Sequence, residues 1–391
     1  MHRVDIMILA GEPSSDALAA DLVAEIKRAL KDHLTPRFFG IGGLKLQDEG
    51  VELLEDMTQL TVFGFFEALK QYRHFKKIFD RALEEAKRRL PQLIILVDFG
   101  GFNLRFAKAI RAYCSEHRNT FSNWTPQIVY YVPPQVWASR ERRAATIAST
   151  VDLVVSIFPF ERDWYRDRYP NLPVKYVGDP MATRFNNSLE PPKQEALEEQ
   201  AEPPMVTLLP GSRPQEIERH LPLMLEAVEL MNRHRQFEAT IAAPSVAIIK
   251  PFQRLLPPNV NWQIGGVAKA LEQSALAIAS SGTVTRECAY LRVPTVVVYQ
   301  LSWLTYQIVK RIIKVRYIAM PNILANEMVF PELIQNAATP TAIAQEALQL
   351  MLPEHREKVM SALERVTLSL GPPGASQRAA KHIIAKGTLI I

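Results

Sequence analysis

Short apolar runs, each about the length of a buried strand, alternate along this chain with longer segments whose apolar positions recur every three or four residues. Val4–Ala10 is the first such run. After it, Asp16–Lys31 places Leu18, Leu22, Ile26 and Leu30 at four-residue spacing, the stripe of an amphipathic helix. Phe38–Ile41 predicts a short strand and Leu93–Val97 a fully apolar one, followed by a helix over Arg105–Cys114. Ile128–Val132, Leu153–Ile157 and Val174–Val177 predict three more strands. Near-continuous apolar strands separated by helices imply a parallel sheet covered on both faces, because strands buried on both sides need no polar alternation.

The pattern breaks over residues 186–204, where paired prolines and clustered charges predict a linker. Strand-like runs resume at Val206–Leu209, Ala239–Ala242, Leu276–Ala279 and Thr295–Val298. The expected fold class is therefore α/β, with two doubly wound Rossmann-like domains, a first over 1–185 and a second over 205–365, and a helical tail over 366–391 that packs on the first domain or on a second subunit. In open α/β sheets ligands sit outside the C-terminal ends of the strands, so two facing domains would place the chemistry in the cleft between them.

Composition narrows the class. The 391 residues are 48% hydrophobic and 22% charged, as in soluble globular proteins. The net charge of +5 is too small to argue for a nucleic-acid partner. No stretch of apolar residues is long enough to span a bilayer. The nearest, 293–309, is broken by Gln300, Ser302 and Gln307 and closed by Lys310-Arg311, and reads as a buried strand followed by an amphipathic helix. The amino terminus runs straight into a strand rather than a signal peptide, and Cys114 and Cys288 lie far apart without redox or metal spacing. A cytoplasmic protein with reduced cysteines is expected. No Asp-any-Asp, spaced-histidine or paired-cysteine pattern appears, so neither a metal nor a cofactor is expected.

Candidate chemistry lies at strand ends. Two turns, Leu208–Arg213 and Ala279–Glu287, follow apolar strands and open helices. Their Gly211, Ser212 and Arg213, and Ser281, Gly282 and Thr283, offer backbone N–H groups to an anion such as a phosphorylated ligand. Glu12 follows the first strand and Asp98 ends Leu93–Val97; Asp98 reads equally as a helix or turn cap and as a general base, and Glu12 as a general base or as a partner to a nearby helix N-terminus. Asp16 predicts the N-cap of the first helix. Tyr130-Tyr131 with Arg140, Arg142 and Arg143 could stack a sugar and hold a phosphate, or form a core strand and a solvated basic helix. Phe63, Phe65, Phe66 and Leu69 beside Arg73 suit either shallow contact with an anionic bilayer or acylated ligand, or a core helix with a wet face. Asn322, in a proline-bounded loop, offers both donor and acceptor, as ligand reading or a turn requires.

Taken in order, Gly11–Asp16, Tyr130–Arg140, Leu208–Arg213, Ser281–Glu287 and Met320–Ala325 resemble the lipid-A-disaccharide synthase family, glycosyltransferases of the two-domain GT-B type. The resemblance covers Val4 to about Leu350. It implies transfer, with inversion and without a metal, of an acylated glucosamine from UDP-2,3-diacylglucosamine to 2,3-diacylglucosamine 1-phosphate at the inner face of the plasma membrane. It further implies Asp98 as base with Glu12 beside it, Arg213 and both turns at the UDP phosphates, Glu287 at the ribose, Asn322 at the donor, Phe63–Phe66 at the membrane, and a homodimer built through C-terminal helices. Three positions depart from the family pattern: Gly100-Gly101 replace a Pro-Asp pair, Ser15 replaces a glycine, and Ser139 a tryptophan. All three lie in the first domain, 1–185, which the resemblance makes the acceptor-binding half, with the UDP-sugar donor bound by 205–365. A related transferase with another glycolipid acceptor, a non-catalytic UDP-sugar binder, and an epimerase acting on UDP-N-acetylglucosamine are the alternatives.

Overall fold

The computed structural model describes residues 3–31, 34–58, 65–118, 123–185, 203–243, 245–257 and 259–386. The chain divides into two compact units, Met1–Pro180 with Gly371–Ile391, and Met181–Leu370. Each is built on its own parallel sheet.

In unit 1 the strands are β1 (Arg3–Ala10), β2 (Thr35–Gly42), β3 (Glu52–Asp56), β4 (Leu93–Val97), β5 (Gln127–Tyr131), β6 (Leu153–Ser156) and β7 (Val174–Tyr176), in the order β3-β2-β1-β4-β5-β6-β7. β1 pairs with β4 from Ile6↔Leu93 to Ala10↔Val97, and both runs are buried throughout. One sheet face, with Met7, Leu9, Ile94, Leu96 and Tyr130, packs on helices Phe65–Arg89, Gly100–Glu116 and Arg142–Thr150 through Ile78, Phe106 and Ile147. Phe79 meets Phe102 and Phe106 edge-on, with ring centroids 5.3 and 5.9 Å apart, a geometry that adds about 0.5–1.5 kcal/mol per pair beyond burial. The helix Pro13–Leu30 contacts β1 and β4. The helix Ala375–Lys386 packs on Pro13–Leu30 and contacts β5 and β6, while Arg378 Nε donates to the carbonyl of Val177 at 2.8 Å.

Unit 2 carries β8 (Met205–Leu209), β9 (Glu238–Ala243), β10 (Val260–Ile264), β11 (Leu276–Ser280), β12 (Thr295–Tyr299) and β13 (Glu332–Ile334), ordered β10-β9-β8-β11-β12-β13. Its core gathers Val206, Leu208, Ile278, Val296 and Val297 from the sheet with Ile217, Leu221 and Met224 of helix Pro214–Asn232. Helix Pro353–Ser369 carries the unit past position 365 to Leu370. Cys288 is buried in this core, its thiol pushed up to about 12 chiefly by desolvation. Among the described residues no helix is long and apolar enough to cross a membrane.

Strand order reverses between β1 and β4 in the first sheet and between β8 and β11 in the second. At such a switch point the following connections diverge to opposite faces and leave a crevice at the carboxyl ends of the two central strands.

Candidate functional site

Both switch points carry residues singled out by the sequence. In unit 1 the chain leaves β1 into Glu12, which is exposed and caps helix Pro13–Leu30. The Glu12 N–H donates to Ser15 Oγ at 2.9 Å and Ser15 Oγ donates back to the Glu12 carbonyl at 2.8 Å. The helix starts at Pro13, a residue suited to a first helical turn. Asp16 therefore sits inside the helix rather than capping it, correcting the expectation. Its buried carboxylate accepts from the N–H groups of Gly43, Lys45 and Leu46 at 2.8, 3.1 and 3.2 Å and so caps the neighbouring helix Leu44–Asp48.

Asp98 follows β4 directly. It and Phe99 both adopt left-handed backbone conformations, with φ of 46° and 49°. Two consecutive non-glycine residues there cost on the order of 1–3 kcal/mol each and persist only where the surroundings hold them. The restraint is visible. The Asp98 carbonyl accepts from Tyr130 Oη and from Asn103 Nδ2, both at 2.8 Å, and its N–H donates to the Tyr131 carbonyl at 3.1 Å. Those bonds engage the main chain of Asp98. Its half-buried side chain stands at the crevice end of β4, one strand from Glu12.

The structure also accounts for one departure from the family pattern. A Cβ at position 100 would lie 2.8 Å from Pro134 Cβ, so this loop requires Gly100, whereas a side chain at Gly101 would meet nothing within 4 Å.

The aromatic run after β4 has a different part from a sugar platform. Tyr130 and Tyr131 are fully buried, and Trp137 is buried with its Nε1 donating to Glu161 at 2.9 Å. Strand β5 is central, so both of its faces are covered and its tyrosines belong to the core. Arg140 and Arg142 are exposed and Arg143 half-buried. Burial pushes the Arg143 guanidinium down, and Arg140 and Arg105 add like-charge repulsion. Arg105 lies on the helix that Asp98 introduces, so three cations gather beside this loop. Arg73 is exposed on helix Phe65–Arg89. Phe63 lies outside the described residues, as do the side chains of Phe65, Phe66 and Leu69 on that helix.

In unit 2, β8 ends in Pro210-Gly211. Gly211 has φ +127°, and a Cβ there would fall 2.5 Å from Glu216 Oε2. That close approach lets Glu216 turn back on the loop, accepting from the Ser212 N–H at 3.1 Å and pairing with Arg213 at 3.5 Å. Arg213, the N-cap of helix Pro214–Asn232, is 76% exposed. The turn is fixed from behind by His220, which sequence reasoning missed. Fully buried, it accepts from the Gln300 N–H at Nε2 (2.9 Å) and so carries its proton on Nδ1, which donates to the Pro210 carbonyl at 2.8 Å. One imidazole thus ties the β8 turn to the end of β12. Only its position, seven residues after Arg213 on the apolar side of a helix, hinted at this.

The second turn, Ser281-Gly282-Thr283, is open at Gly282 and Thr283, and Ser281 Oγ donates to the Ile318 carbonyl at 2.9 Å. Glu287 follows on helix Val284–Tyr290. Burial raises its carboxyl above the ordinary range, with Arg184 and Arg286 pulling the other way.

Asn322 is placed differently from the expectation that it touches the donor. It is fully buried. Its Nδ2 donates to the Phe330 carbonyl at 2.7 Å and to Glu332 Oε1 at 2.8 Å, and its Oδ1 accepts from the N–H groups of Val329 and Phe330 at 2.9 and 2.8 Å. All its hydrogen-bonding positions are used within the chain. Glu332, the other half of this hub, accepts from the N–H groups of Ile318 and Ala319 at 3.0 and 2.9 Å. Asn322 is therefore a positioning residue, linked through Glu332 and Ile318 to Ser281.

Residues 6–385 match the family described as Lipid-A-disaccharide synthetase. The chain belongs to this family. A lipid-A-disaccharide synthase from Myxococcus xanthus (strain DK1622) is 34% identical over 97% of this chain and 96% of its own length, and one from Coxiella burnetii (strain CbuG_Q212) is 33% identical over 98% of each. Among solved structures, UDP-GlcNAc 2-epimerase from Neisseria meningitidis bound to UDP-GlcNAc shares the fold at a TM-score of 0.61 and 12% identity, covering 98% of this chain and all of that one. Family membership and the two switch points together make this a glycosyltransferase of lipid A biosynthesis.

Proposed function

We propose that the chain condenses UDP-2,3-diacylglucosamine with 2,3-diacylglucosamine 1-phosphate. The observation that carries this reading is that each sheet of a member of this family ends, at its switch point, in the residues one half of the reaction needs. On the acceptor side Asp98 takes the proton of the 6-hydroxyl as that oxygen attacks the anomeric carbon, and Glu12 flanks it. The bond from the anomeric carbon to the β-phosphate oxygen breaks with inversion, and UDP leaves with the electron pair. Arg213 and the N–H groups of Gly211, Gly282 and Thr283 stabilise the charge that develops on it, while the Ser212 N–H, engaged by Glu216, shapes the turn. Arg105, Arg140 and Arg143 supply positive charge for the acceptor's 1-phosphate. A homodimer and attachment to the inner face of the plasma membrane belong to the same reading.

The test is incubation of the purified protein with both substrates, looking for disaccharide and UDP. UDP bound without product would favour a non-catalytic relative. Product formed equally well from an acceptor lacking the phosphate would favour the other reading, a different glycolipid acceptor, to which the open space at Gly101 also points.

Two further outcomes are expected. Replacing Phe65 and Phe66 with serine reduces sedimentation with membranes while the unfolding midpoint holds; unchanged sedimentation would return the segment to the core. For Glu287, the folded protein holds the proton more tightly than the unfolded chain does. Its contribution to stability is thus full below the ordinary carboxylate range and is lost as pH rises through the raised pKa. Ribose hydroxyls donate more strongly to the ionised form than to the protonated one. UDP affinity therefore falls on acidification from a higher pH than an ordinary glutamate would give, and Glu287→Gln removes that component. Calorimetric titration of UDP against pH in both proteins reads it, and superimposable profiles would take Glu287 away from the ribose.

A further inference from the structure

Helix Trp303–Ile312 leaves the end of β12 and contains no buried residue. Its apolar side chains face water. Trp303 is 72% exposed, Leu304 66% and Ile308 53%, and Ile312 and Ile313 extend the stripe. Leu304, Ile308 and Ile312 stand four residues apart and so share one face. An amphipathic surface helix ordinarily turns that face inward. Instead Tyr306, Gln307 and Val309 make the partly covered side. The charged residues of this segment have one sign: Lys310, Arg311, Lys314 and Arg316, with no acidic residue between Ser302 and Arg316. Lys310, Arg311 and Arg316 are exposed.

We propose that this helix docks unit 2 on an anionic phospholipid surface. Exposed tryptophan and aliphatic groups beside cations alone are what a bilayer of negative headgroups accepts, the apolar face entering the acyl boundary and the cations pairing with phosphates. A second copy of this chain fits worse, because a two-fold contact would oppose the same cations across the interface. The loop after the helix reaches Ile318, whose carbonyl holds Ser281. Docking therefore anchors the segment that supports a donor turn, and it does so on unit 2, apart from the Phe63–Arg73 surface expected on unit 1. It does not depend on which acceptor the enzyme uses.

The full-length protein is sedimented with phosphatidylcholine vesicles, with and without phosphatidylglycerol. Two variants are compared, Trp303→Ser with Leu304→Ser and Ile308→Ser, and Lys310→Glu with Arg311→Glu, each also carrying Phe65→Ser and Phe66→Ser so that a second contact does not mask the loss. Each cation near an anionic surface shifts partitioning roughly fivefold, and each large apolar side chain withdrawn from water contributes at least as much, so both variants should bind phosphatidylglycerol vesicles at least about tenfold more weakly than the protein carrying Phe65→Ser and Phe66→Ser alone. UDP affinity and the unfolding midpoint stay unchanged. Binding by both variants equal to that of the protein carrying Phe65→Ser and Phe66→Ser alone overturns the proposal. So does a change of oligomeric mass in the apolar variant with vesicle binding intact, which would make the face a contact between copies. Turnover on detergent-dispersed substrates reads the catalytic assignment separately.

Discussion

Asp98→Asn lowers turnover by roughly 10²–10⁴-fold, the range a positioned general base contributes, and leaves UDP affinity where it was. The geometry makes this substitution unusually clean. Asn, like Asp, tolerates the left-handed backbone that position 98 requires at φ 46°. The bonds from Tyr130 Oη and Asn103 Nδ2 go to the main-chain carbonyl, which the change does not touch. The loop should keep its shape while the side chain loses the ability to accept a proton. Steady-state rates, UDP calorimetry and thermal unfolding are read together. A fallen midpoint, or lost UDP binding, would show that the carboxylate is structural and that another group deprotonates the acceptor.

The strands and helices that flank both crevices were legible because their residues are buried on two faces or striped on one. β4, β8, β11 and β12 carry runs of branched and small apolar residues that match a central parallel strand, and the observed bounds differ from the expected ones by a residue at most. β3, β10 and β13 gave no such signal. They are edge strands: Glu52–Asp56 and Val260–Ile264 alternate or mix polar residues because one side meets solvent, and Glu332–Ile334 has only three residues. The site divides in the same way. Asp98 and the glycine turns could be found because strand ends, glycines and acids have local signatures. His220, Glu332 and the function of Asn322 could not, since each acts across 7–80 residues of sequence on backbone groups that only the fold brings near. Helix Trp303–Ile312 shows the limit of periodicity, which gives an apolar face but not the direction in which it points.

Asn322→Ala should lower stability and donor binding together. Truncation strips partners from the N–H groups of Val329 and Phe330 and the Phe330 carbonyl, all buried, and from half-buried Glu332. At about 1–3 kcal/mol for each buried group left unpaired, part of it recovered by relaxation, a loss of about 3–5 kcal/mol is expected, enough to shift the unfolding midpoint by several degrees. UDP affinity falls because the strut from Glu332 through Ile318 to Ser281 loosens. Asn322→Asp discriminates further. It keeps two acceptors for Val329 and Phe330 but sets a carboxylate oxygen against Glu332 and the Phe330 carbonyl, where an amide donated, so it should be no better tolerated than alanine. If Asn322 touched the donor directly, alanine would abolish UDP binding at an unchanged midpoint. Calorimetry beside thermal unfolding of the same two variants separates a strut from a contact.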